Sequence, residues 1–75
     1  MTTYQIELDI SHEATDELVE EFATSHGCTY ELIQLEGPAG GNPVYLFKSD
    51  NFHNVHELAS EILQYDATDV IEQVV

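Results

Sequence analysis

Arginine is missing altogether from this sequence and Lys48 is its single lysine, while Asp and Glu number 15, so the formal charge is −14. Binding nucleic acid through phosphate contacts needs several Lys or Arg, whose approach releases counterions. Attraction to an anionic membrane surface needs the same residues. Neither nucleic acid nor membrane is therefore expected as a direct partner. Cysteine is nearly as scarce: Cys28 alone allows no intrachain disulfide, and a lone thiol suits a reducing compartment. No apolar run approaches the length of a membrane span. The opening residues Met1-Thr2-Thr3-Tyr4-Gln5 lack the positive charge and hydrophobic stretch of a signal peptide. The expected setting is cytoplasmic, or the cytoplasm of a host cell.

What is present is enough for one core. With 75 residues and 43% of them apolar, the chain reads as a single domain over residues 1–75, with no linker, internal repeat or low-complexity tract. A chain this short buries a smaller fraction of its surface than a longer one, so association with a second copy or a partner would add more here than in a longer protein.

Residues 4–10 alternate strictly, with Tyr4, Ile6, Leu8 and Ile10 on one side and Gln5, Glu7 and Asp9 on the other, the pattern of a half-buried strand. Ser11 is placed to cap a helix whose first turns carry Glu13, Asp16 and Glu17, where the helix dipole favours carboxylates. Ala14, Leu18, Phe22 and Ala23 recur at helical spacing, and Gly27 is placed to end the helix in a left-handed conformation. Cys28 to Glu36 reads as a second strand, less cleanly alternating. The run 37–43, with three glycines and two prolines, is a turn. Val44 to Lys48 reads as a third strand. Ser49, Asp50 and Asn51 offer the start of a second helix, with an apolar stripe of Phe52, Val55, Leu58, Ala59, Ile62 and Leu63. Residues 68–75, with Val70, Ile71, Val74 and Val75, return to strand composition. The expected core includes Tyr4, Ile6, Leu8, Leu18, Phe22, Leu58 and Ile62.

The element order βαββαβ resembles the ferredoxin-like superfold of the α+β class over essentially the whole chain. That resemblance implies a four-stranded antiparallel sheet in the order 4-1-3-2 with two helices on one face. It also implies that His12, the 37–43 hairpin and the 64–67 turn share one end of the molecule, while His26 to Cys28 and Asp50 to His56 share the other.

The second group is the one metal-like constellation: His26 and Cys28 at the exit of the first helix, His53 and His56 a turn apart at the start of the second. His-Gly-Cys followed by His-x-x-His matches no zinc spacing. The bland assignment is a helix-terminal His26, a small buried Cys28 and two surface histidines, so neither metal nor any other cofactor is expected. The glycine-rich run lacks the lysine and following helix of a P-loop. A His26–Cys28 dyad two residues apart is poorly placed for nucleophilic chemistry. The chain is expected not to be an enzyme.

RNA-recognition domains of this element order put aromatic and basic residues on the open sheet face. Here the first strand offers Gln5, Glu7 and Asp9 instead. The third strand, Val44-Tyr45-Leu46-Phe47, is apolar on both faces, which fits either a central buried strand or a homodimer surface. The solvent side of the first helix gathers Glu13, Asp16, Glu17, Glu20 and Glu21, and Glu57 and Glu61 extend the field on the second. Without cations to offset them, these carboxylates oppose compaction, and a basic protein surface would relieve that repulsion. The leading expectation is a nucleic-acid mimic that occupies the basic surface of a DNA- or RNA-handling protein, in the manner of small acidic phage inhibitors. The alternatives are a halophile's solvated surface, against which the lack of arginine speaks, and a homo-oligomeric regulatory module of ACT-like type. An uncharacterised phage or accessory protein fits either of the two binding roles.

Overall fold

The computed structural model of the chain describes residues 2–11, 13–35 and 41–74. His12 and residues 37–40 of the glycine-rich turn lie outside them. The elements run β1 (Thr3–Asp9), α1 (Asp16–Ser25), β2 (Thr29–Gln34), β3 (Val44–Ser49), α2 (Phe52–Leu63) and β4 (Glu72–Val74), with a turn of 3-10 helix at Thr68–Val70 between the last two.

The strict alternation of β1 decides the register of the sheet. Ile6 lies opposite Phe47 and Leu8 opposite Tyr45, so two apolar cross-strand pairs share one face. All strand pairs are antiparallel and the spatial order is β2-β3-β1-β4, the expected 4-1-3-2 order read from the other edge. Val19 and Ala23 of α1 and Val55, Leu58 and Ala59 of α2 join Ile6, Leu8, Tyr45 and Phe47 in one buried cluster. Both helices therefore cover the same face. Phe47, Leu58 and Val55 are the largest fully enclosed side chains, each stabilising the fold by about 1.5–3 kcal/mol through burial alone. Glu7 and Asp9 lie exposed and Val44, Leu46 and Lys48 half-buried on the opposite face.

Helix α1 begins a turn later than the sequence suggests. Ser11 does not cap it: its hydroxyl accepts the Glu13 N–H (3.2 Å) and its carbonyl accepts the Ala14 N–H (3.0 Å), closing a separate turn. Thr15, with extended backbone, is the cap, and its hydroxyl accepts the Leu18 N–H at 3.2 Å. Glu13 consequently lies ahead of the helix. Val19 and Ala23, four residues apart, point inward, which carries Leu18 out to the rim. Leu18 is 54% exposed and is not a core residue. Tyr4, Phe22 and Ile62 are half-buried and pack against the core.

The exit of α1 follows the glycine signal. Gly27 sits at φ 69°; its N–H donates to the Thr24 carbonyl (3.0 Å) and the Cys28 N–H to the Ala23 carbonyl (2.8 Å), the paired bonds of a Schellman motif. Helix α2 is capped by Asn51, whose side chain accepts the His53 N–H at 2.9 Å, and ends at Gln64 in the left-handed region. The last segment, read as a strand over 68–75, is instead a helical turn followed by the three residues of β4, because Thr68 N–H and hydroxyl are both drawn to the Asp66 carboxylate. Among the described residues no helix is long and apolar enough to cross a membrane.

Candidate functional site

The candidate acidic surface divides into two parts with different surroundings. On α1, Asp16, Glu17, Glu20 and Glu21 are all exposed. Among the described residues none of them forms an ion pair. Asp16 accepts a hydrogen bond from the Tyr45 hydroxyl at 3.0 Å. Burial, reinforced by that bond, pushes the Tyr45 phenol above its ordinary 10.0. The contact turns the Asp16 side of α1 toward β3 and β2, and Glu20, one turn on, falls on the same side. Glu13 is exposed in the preceding turn.

On α2 the carboxylates are occupied. Glu61 Oε2 lies 2.7 Å from His26 Nε2, and Glu57 Oε1 lies 3.5 Å from His53 Nε2. The field expected to run across both helices is thus continuous on α1 and partly met by histidines on α2. Sequence reasoning did not anticipate these pairs. His53–Glu57 is an i, i+4 pair that helical spacing could have shown, whereas His26–Glu61 joins the end of α1 to α2 and depends on their packing.

The four metal candidates do not converge. His26 Nδ1 faces the Phe22 carbonyl (2.8 Å) and Nε2 faces Glu61. Cys28 is buried, its thiol directed at the His26 carbonyl (3.6 Å), and burial raises its pKa above the ordinary 9.0. His53 is turned to Glu57, and His56 Nε2 lies 2.8 Å from Asp66. Among the described residues no three His, Cys, Asp or Glu side chains are grouped to hold a metal ion. The Asp66 carboxyl is held at about 2, below its ordinary 3.8, chiefly by the Thr68 hydroxyl and then by His56.

Of the residues read as a dimer surface, Tyr45 and Phe47 are buried under the helices, and Val44 and Leu46 are half-buried on the open face. β3 has strand neighbours on both sides. Exposed apolar surface is concentrated elsewhere. Tyr30, Leu32 and Ile33 of β2 and the adjacent Leu35 all stand exposed, Leu35 at 74%. The imperfect alternation of this segment was the available signal: apolar residues on both faces of a strand that turns out to lie at an edge.

No protein-family model, curated protein or solved structure matches the chain significantly.

Proposed function

We propose that this chain is a non-enzymatic, acidic protein-binding domain of ferredoxin-like type that acts in the cytoplasm, its own or a host's. It occupies a basic surface of a DNA- or RNA-handling protein as a nucleic-acid mimic, the role of a phage-type inhibitor. The observation that carries this reading is the α1 face. Asp16, Glu17, Glu20 and Glu21 are exposed on six consecutive residues with no cation paired to them among the described residues. At 1.5 Å of rise per residue that is about one carboxylate per 2 Å of axis, against about one phosphate per 1.7 Å of duplex DNA. A groove built to hold phosphates meets a similar linear charge density on this helix, presented on a folded body.

A capture experiment tests it. The protein is immobilised at low salt, exposed to host lysate, and eluted with rising salt beside the Glu17→Gln, Glu20→Gln, Glu21→Gln triple variant. A nucleic-acid-handling protein that elutes with salt and is lost from the triple variant supports the reading. Equal recovery on both baits overturns it.

The second reading, a homo-oligomeric regulatory module of ACT-like type, draws on the exposed Tyr30, Leu32, Ile33 and Leu35. Light scattering at micromolar and millimolar concentration separates the two, since that module must dimerise.

A further inference from the structure

β2 is an edge strand, and it is poorly defended. Among the described residues its one strand neighbour is β3. Every residue of Thr29–Gln34 is exposed, and alternate backbone N–H and C=O groups of an edge strand point away from the sheet. The usual protections are charge (lysine above all), proline, very short length and bulges. This strand has neither lysine nor proline in six residues; it has one carboxylate, Glu31, and one irregularity in register between Leu32 and Gln34. By register Tyr30 and Leu32 lie opposite the buried Phe47 and Tyr45, on the helix-covered face. They extend the apolar face beyond the edge of the core. The same flank carries Asp16 of α1, tied to Tyr45, with Glu20 one turn further along.

We infer that the outer edge of β2 receives an extended, lysine- or arginine-rich segment of the partner as a fifth strand. Backbone hydrogen bonds along Thr29–Gln34 supply affinity without regard to sequence, and alternate side chains supply selection. Apolar residues of the incoming strand cover Tyr30 and Leu32 on the helix-covered face, while its cationic residues, which alternate with them, fall on the other face beside Glu31. Charge decides the occupant. A second copy of this chain would bring another −14 to the edge, whereas a cationic strand lowers the field that opposes compaction. The inference rests on the basic-partner reading proposed above and adds how that partner is held.

The test uses two eight-residue peptides with four lysines each, one alternating Val-Lys and the other Gly-Lys. Binding is followed at low salt by amide chemical shifts and by hydrogen exchange of the protein. The Val-Lys peptide is expected to bind about ten-fold more tightly, a difference of about 1.4 kcal/mol, and to slow exchange along Thr29–Gln34. Ile33→Lys, which places a like charge at an exposed edge position, is expected to weaken Val-Lys binding more than Gly-Lys binding and so to shrink that preference. If both peptides bind alike with shifts confined to α1, the edge inference fails and the basic-partner reading stands. If neither binds, both fail. Protection of β2 that grows with protein concentration in the absence of peptide means that a second copy occupies the edge, and also overturns the inference.

Discussion

His26 connects the two helices through a single ring. Nδ1 faces the Phe22 carbonyl at 2.8 Å and Nε2 the Glu61 carboxylate at 2.7 Å, so both neighbours are acceptors. Replacing His26 with Ala removes both contacts and should cost about 1 kcal/mol, the range for a partly exposed hydrogen bond. A double-mutant cycle with Glu61→Gln should show coupling; strict additivity would mean the ring and the carboxylate merely lie close together. Asp66 adds a pH dependence of its own. Its carboxyl titrates at about 2 in the folded chain against an ordinary 3.8, so its contribution is complete above 3.8 and is lost as pH falls through about 2. Stability followed by denaturant melts should show an acid limb between pH 4 and 2 that Asp66→Asn flattens. An unchanged limb would place the acid sensitivity on other carboxylates.

Each element ends on a particular chemical signal, and those signals differ in how clearly they read from sequence. At Gly27 the φ of 69° and a Cβ that would come 2.6 Å from the Asn54 side-chain nitrogen both oppose substitution. Gly27→Ala should lower stability by about 1–2 kcal/mol, a fall in Tm of about 4–8 °C per kcal/mol in a domain of this size. A Tm within a degree of the parent would show that the motif tolerates an L-residue. The glycine was legible because one residue type dominates that conformation. The start of α1 was not, because Ser11 and Thr15 both carry a capping hydroxyl and only tertiary packing selects Thr15. The helical stripe of Ala14, Leu18, Phe22 and Ala23 points to Leu18 as core, whereas the packing of α1 turns Val19 and Ala23 inward. Val19→Ala should accordingly cost about 2 kcal/mol, two buried methyl groups plus the cavity they leave, and Leu18→Gln less than about 0.5 kcal/mol. The reverse ranking in denaturant melts would contradict the rotation assigned to α1. Element order was legible from the period-2 pattern of β1 and the helical stripe of α2, whereas the strand order followed only from the resemblance which that element order carries. The acidic face of α1 was legible from composition and spacing. The exposed edge of β2 was not, because a strand's neighbours are decided by the whole sheet.

At the scale of the whole molecule the governing quantity is the formal charge of −14. Like charges on α1 repel one another over a few ångströms of solvent, and screening at 0.15 M salt confines that repulsion to about 8 Å. Added salt should raise Tm, the reverse of a fold held by surface ion pairs, and a Tm that falls with salt would contradict this. Protonating the four histidines would move the formal charge from −14 to −10, which relieves the same repulsion. Association with a basic surface responds oppositely and weakens as ions screen the attraction. The two slopes together mark a surface whose repulsion is relieved by a partner. The most direct measurement of the mimicry itself is displacement. A nucleic-acid-handling protein captured by the chain is loaded with fluorescent duplex, and polarisation is followed as the chain is added at low salt. The account predicts release of the duplex by the native chain, at concentrations that rise steeply with salt, and no release by the Glu17→Gln, Glu20→Gln, Glu21→Gln variant. A duplex that stays bound, or one released equally by both proteins, would contradict it.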